Sequence, residues 1–147
     1  MAPEQIPTDL TPATLALVTD EAIDESAVRR AVERPTSGAV VIFSGVVRNH
    51  DGGQNIRSLD YQAHPQAQNI MEECCARVAQ ETGLAVAAVH RIGHLEVGDI
   101  ALSAAVSAAH RREAFDACEL LVERIKSTLP IWKRQYTAEG QSEWVGL

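Results

Sequence analysis

Residues 38–47 read Gly-Ala-Val-Val-Ile-Phe-Ser-Gly-Val-Val. This stretch decides the fold. β-Branched and aromatic side chains run through it without polar alternation, which predicts a central strand buried on both faces. Downstream, Asn49-His50-Asp51-Gly52-Gly53-Gln54-Asn55 is a polar, Gly-rich turn of the hairpin kind. Ile56 to Gln62 alternates and reads as the returning strand. Pro65 opens a helix expected to reach about Thr82, with the apolar stripe Ile70, Met71, Cys74, Cys75 and Val78, and Gly83 closes it. Val86–Ile92 and Ile100–Ser107 read as two more strands, joined by a turn over residues 93–99. His110–Ser127 is a second long helix whose expected buried stripe is Phe115, Cys118, Leu121, Val122 and Ile125. Pro130 stops it, Ile131–Tyr136 is extended, and residues 143–145 form another short extended piece. Upstream, residues 1–14 carry three prolines and read as a flexible lead-in. Leu15–Thr19 is a first strand, and Asp24-Glu25-Ser26 starts a short amphipathic helix that ends before Pro35. The predicted order is β-α-β-β-α-β-β-α-β, an α+β or mixed α/β sandwich.

The chain has 147 residues, 46% hydrophobic and 22% charged, which fits one globular domain over residues 15–147. No apolar stretch is long enough for a membrane helix and residues 1–10 are unlike a secretory signal, so a cytoplasmic protein with reduced thiols is expected. The net charge of −7 argues against a general nucleic-acid binder. That charge is uneven. Residues 1–33 hold seven acids against Arg29 and Arg30, whereas residues 105–135 hold six basic residues against four acids. A local basic cluster in an acidic chain points to a small anionic ligand.

Only two of the thirteen basic residues are lysine, Lys126 and Lys133. A chain this biased toward arginine places lysine where a deprotonatable amine is needed, or by chance on a solvated face. The cysteines read as core thiols. Cys74 and Cys75 are adjacent on one helix, Cys118 lies on another, and no C-x-x-C occurs. His90 and His94 sit in a strand-like segment, where four residues span about 13 Å, too far to share an ion. No metal site and no cofactor fingerprint is expected.

Three cationic segments remain. Val46-Val47-Arg48 puts an arginine where an apolar strand leaves the sheet. Ala109-His110-Arg111-Arg112 puts cations at a helix N-terminus, which favours an anion. Residues 126–135, KSTLPIWKRQ, put Lys126 in a last helical turn and Lys133 just past a proline corner. Small residues at Ala104, Ala105, Ala108 and Ala109 leave room for a thin chain beside the second segment.

The motifs GAVVIFSGVVRNH (38–50), VHRIGHLEVGD (89–99), AHRREAF (109–115), KSTLPIWKR (126–134) and WV (144–145) occur in this order. Over residues 38–145 the chain thereby resembles the catalytic (large) subunit family of molybdopterin synthase. The resemblance implies an α/β hammerhead-type fold with an added antiparallel β subdomain, and a homodimer within a heterotetramer. Its partner would be a small ubiquitin-like sulfur-carrier subunit ending in a Gly-Gly thiocarboxylate. The activity implied is sulfurtransferase: two sulfurs pass to cyclic pyranopterin monophosphate and form the molybdopterin dithiolene of the molybdenum cofactor, with no cofactor on the enzyme. By position, Lys126 and Lys133 match the active-site lysines. Arg48, His110 and Arg111 match substrate-pocket residues, and Val46, Val47, Arg134 and Gln135 fall in pocket-lining segments. Val46 stands where the family often has lysine and Gln135 where it often has glutamate. The alternative is a non-catalytic module that binds an anionic metabolite or pterin. Such a module needs Arg48 and Arg111 but not lysine specifically at 126 and 133.

Overall fold

A computed structural model describes residues 13–147. The lead-in expected over residues 1–14 lies outside these, except that residues 13 and 14 already belong to the first strand. In chain order the elements are β1 (Ala13–Thr19), α1 (Glu25–Val32), β2 (Ala39–Val46), β3 (His50–Asp51), β4 (Gln54–Ala63), α2 (Ala67–Thr82), β5 (Ala85–Arg91), β6 (Gly93–Glu96), β7 (Ile100–Ala108), α3 (Arg111–Thr128), β8 (Ile131–Thr137), β9 (Gly140–Gln141) and β10 (Val145–Gly146).

Four strands form one sheet in the order β1-β5-β7-β2. β1 runs parallel to β5, and the other pairs are antiparallel. Strand alternation sends Ala87, Val89 and Ala105 to one face, where they pack under Val28 and Val32 of α1. Val86, Ala88, Leu102, Ala104 and Val106 go to the other face, under α2 and α3. Asp24 starts α1 by accepting backbone N–H bonds from Ser26 and Ala27. Gly83 ends α2 at φ 74°, a left-handed position that suits glycine.

Residues 39–46 form a strand as expected, but it is the edge of the sheet and not its centre, pairing only with β7 among the described strands. Its continuous apolar run reports cover on both faces instead. Val40 and Ile42 lie against the α1 side, and Val41 and Phe43 against α3. The returning strand also has different partners. β4 pairs with β3, β6 and β8, and not with β2. The turn itself is a tight hairpin between β3 and β4, with Gly52 and Gly53 at φ 56° and 81°, the two positive values that a type I′ turn requires. Alternation in β4 is interrupted, so both Ile56 and Leu59 are buried, because the β4–β8 register shifts between Ile56 and Ser58.

The second sheet runs β10-β8-β4-β3, with β6 on β4 and β9 on β8. β3 and β6 fall where the sequence showed only turns, and β9 where it showed no element. Each is too short for periodicity to register. The two sheets meet around a small cluster of Val47, Leu59, Leu95 and Ala101. Backbone bonds fasten that junction, with Val47 N donating to Asp99 O at 2.9 Å and Gly98 N to Val47 O at 2.8 Å. The mixed α+β architecture, an α-covered sheet with an antiparallel β unit beside it, is therefore the expected one. No helix of the described residues is long and apolar enough to cross a membrane.

Candidate active site

The sheet junction encloses a cavity of about 220 Å³. Three elements deliver its cations. β2 ends beneath it, with a register shift at Gly45/Val46 that turns Val46, Val47 and Arg48 out of the sheet toward the opening. α3 ends above it and contributes Lys126 from its last turn. β8 then enters the second sheet directly after Pro130. Its alternation decides which side chains reach the cavity. Lys133 pairs with Tyr61 and Gln135 with Leu59, and all four line the cavity. Arg134 pairs with Asp60 on the opposite face. There its guanidinium lies 4.5 Å from the centroid of the Trp144 ring and donates to Gln141 Oε1 at 3.4 Å.

The two lysines, 7 residues apart in sequence, thus reach one cavity from different elements. Lys126 is open to solvent through the cavity mouth, yet protein surrounds its ammonium. That dehydration is the main force holding its pKa below the ordinary lysine value, and the nearby Lys133 cation adds to it, against an opposing pull from Glu123. Lys133 Nζ lies 3.7 Å from Asp51 Oδ2. Asp51 also accepts from Gln135 Nε2 at 2.8 Å and pairs with Arg48 at 3.4 Å. The Gln135 bond, then the Lys133 charge, hold the Asp51 carboxyl below the usual carboxylate range. Asp51 therefore offsets part of the cationic charge.

His110 and Arg111 are not in this cavity. His110 is the residue before α3, with φ −131°, and makes no side-chain capping bond. Both residues are exposed. Fifteen residues of helix separate Arg111 from Lys126, about 22 Å at 1.5 Å per residue. Within one copy of the chain the two groups cannot share a ligand. Phe115, expected in the buried stripe, is instead 58% exposed. It lies on the groove that α3 forms with Val41, Ile42 and Phe43 of the edge strand. The small-residue run is also not a channel. Ala104, Ala105 and Ala108 are buried in the sheet core, where their size lets the helices approach closely, and only Ala109 is exposed.

Among the cavity residues that the sequence did not single out, Asp51 and His90 bear most on its chemistry. Asp51 sits in the hairpin, where a carboxylate looks like ordinary turn chemistry. His90 closes the floor from the end of β5, and only its spacing to His94 had drawn notice. A polar residue at the last inward position of an apolar strand is the signal that marks it. His94 lies elsewhere, bonded to Asp60 at 2.7 Å and Glu96 at 2.8 Å. All three cysteines are buried. Burial pushes the Cys75 thiol up to about 12 and Cys118 to about 11, so neither is a ready nucleophile. A wider groove of about 550 Å³ runs between α2 and α3, but Arg124 on its wall is already paired with Glu81 at 2.9 Å.

A family model described as MoaE protein matches residues 18–128. Molybdopterin synthase catalytic subunit 1 of Mycobacterium tuberculosis is 38% identical over 131 residues, covering 88% of each chain. The crystal structure of molybdopterin synthase from Staphylococcus aureus superimposes with a TM-score of 0.82 at 34% identity, covering 91% of this chain and 98% of that one. A complex of subunits 1 and 2 of molybdopterin-converting factor from Helicobacter pylori shares the fold at 21% identity, with a TM-score of 0.65 over 85% of this chain. With the family model spanning most of the chain and relatives alike along nearly their whole length, the chain belongs to the MoaE family of molybdopterin synthase catalytic subunits.

Proposed function

We propose that the cavity between the two sheets is where this molybdopterin synthase catalytic subunit transfers sulfur, with Lys126 and Lys133 as its catalytic groups. The observation that carries the reading is the convergence of the chain's only two lysines on one cavity, from α3 and β8. Sulfur arrives as the C-terminal thiocarboxylate of a small carrier subunit and passes to cyclic pyranopterin monophosphate. Each transfer joins the thiocarboxylate sulfur to a side-chain carbon of the pterin and breaks the acyl C–S bond by hydrolysis to leave the carrier's carboxylate, so negative charge develops on the acyl oxygen and the oxygen departing from the pterin side chain needs a proton. A lysine with a lowered pKa can supply that proton, while the cations that stay charged hold the developing anion. Lys133, with Asp51 and Gln135 around it, is placed to act as the electrostatic clamp. No thiol of this chain is required, because the partner brings the sulfur.

Arg48 at the rim suits the substrate phosphate as a planar, always-charged donor. Val46 and Val47 provide the apolar wall beside it, and Val46 offers no charge where relatives often carry lysine. Gln135 keeps a hydrogen-bonding amide but no carboxylate. His110 and Arg111 can serve such a site only from a second copy, which fits a homodimer. The edge of β2 that no other described strand covers and the exposed Phe115, one helical turn from Arg111, offer a surface for that contact. Arg134 contributes by holding Trp144, not by touching the ligand. The exposed Trp132, Trp144 and Val145 give an apolar seat for the body of the carrier, so that two copies and two carriers make a heterotetramer. The carrier's glycine tail, lacking side chains, can enter a narrow cavity.

The test supplies purified chain and substrate with carrier ending in thiocarboxylate, in plain carboxylate, or lacking the two terminal glycines. Only the first should yield dithiolene. Product in all three mixtures, or with no carrier at all, overturns the reading.

A further inference from the structure

His90 is 1% exposed, yet it lines the cavity. Its Nδ1 lies 2.8 Å from the carbonyl oxygen of Arg91. A carbonyl can only accept, so Nδ1 carries the hydrogen and the neutral ring keeps its lone pair on Nε2. The edge of the ring packs against Tyr61, with centroids 5.0 Å apart and planes at 84°. Two contacts therefore fix both tautomer and orientation. Nε2 has no bonding partner among the described residues. His90 is nonetheless one of the residues that line the cavity, so an unoccupied Nε2 is available to a ligand there. Burial, with the Lys126 cation adding to it, lowers the ring's pKa from 6.5 to about 4, so it stays neutral near pH 7.

The cavity is thus graded. Arg48 stands at the rim with its side chain 68% exposed. Lys126, Lys133 and Gln135 form the walls, and a neutral acceptor forms the floor. We propose that His90 is a substrate-contacting residue of this site, its Nε2 accepting a hydrogen bond from an N–H or O–H of the uncharged heterocycle while the anionic end stays at the rim. This rests on the sulfur-transfer reading above and adds an orientation to it. A cationic floor would repel no phosphate and would let the ligand enter either way round. A neutral, dry acceptor that an anion cannot use makes one direction preferable.

The test uses the full chain labelled with ¹⁵N-histidine and titrated with cyclic pyranopterin monophosphate. The His90 Nε2 resonance should move on saturation while Nδ1 stays in place. Calorimetry on two variants accompanies it. His90→Phe keeps the ring and its contact with Tyr61 but loses the acceptor, and should weaken binding about five- to tenfold, the scale of one neutral hydrogen bond. His90→Gln returns an acceptor near the Nε2 position and should recover most of the loss. A substrate that binds the parent chain without moving Nε2 overturns the inference alone, even if the variants misfold. Equal affinity of a folded His90→Phe overturns it as well. A parent chain that binds no substrate, with or without the thiocarboxylated carrier, overturns both this inference and the functional reading beneath it.

Discussion

The two ends of α3 carry similar sequence signals and differ in what the fold makes of them. His110-Arg111-Arg112 at the start and Lys126 with Lys133 past the end are both cationic clusters in an acidic chain. At the C-terminal end, a proline corner and the alternation of β8 fold the second cation back toward the first, and a cavity with its own carboxylate closes around them. At the N-terminal end the cations stand in solvent, with no carboxylate paired to them among the described residues. A cluster along the sequence therefore becomes a site only when the following element returns to meet it. The isolated N-terminal cluster is either a plain solvated face or half of a site completed by another copy.

The largest expected effect separates the two ends directly. Lys126→Ala should lower kcat by about 10²- to 10⁴-fold, the usual contribution of a positioned acid–base group, with little change in Tm because the side chain is solvent-accessible. Steady-state turnover with thiocarboxylated carrier measures it. A loss of less than about threefold would make the C-terminal cluster a bystander.

The other end should respond in affinity. Arg111→Ala is expected to cost about 1.5–3 kcal/mol of substrate binding, the scale of a charge-assisted hydrogen bond. Arg112→Ala, turned about 100° around the helix, should change little. Mixing Lys126→Ala with Arg111→Ala chains sharpens the point. If Arg111 serves a neighbouring copy's cavity, mixed dimers contain one intact site and activity partly returns. No recovery after subunit exchange would leave the N-terminal cluster a solvated face.

A smaller effect distinguishes two histidines four residues apart. His90, depressed to about 4, contributes stability that is fully present above its unfolded value of 6.5 and is lost as pH falls through about 4. The full span is worth roughly 3 kcal/mol. His94 has the opposite sign. Its bonds to Asp60 and Glu96 raise its pKa, so its contribution is present below 6.5 and lost as pH rises through the folded value. Urea unfolding of parent and His90→Gln at pH 7 and pH 5 checks the first claim. The parent should lose more stability than the variant on acidification. Equal losses would mean that His90 is not kept neutral by the fold.

Much of the architecture was legible because helices of 16 and 18 residues carry several turns of periodic signal and clear stops at Gly83 and Pro130. The edge position of β2 was not. Apolar continuity measures cover by α1 and α3 on its faces, and says nothing about lateral neighbours. Phe115 misled for a related reason. It falls on the same helical stripe as Cys118 and Leu121, but the sheet beneath that stripe ends at β2. Within the site, Lys126 and Lys133 were visible through their rarity. Arg134 was placed with them by proximity, and strand parity put it on the other face. Asp51 and His90 were invisible because their roles come from β3 and β5 meeting α3 and β8, contacts between segments far apart in the chain.

On the proposed function, this cavity needs an amine at position 126 and not merely a positive charge. Lys126→Arg keeps the charge and raises the pKa beyond reach of proton transfer. Measured with thiocarboxylated carrier, it should bind cyclic pyranopterin monophosphate with affinity near that of the parent and form dithiolene at a rate close to that of Lys126→Ala. Dithiolene formation at the parent rate by Lys126→Arg would contradict the account and reduce the cavity to an anion-binding site.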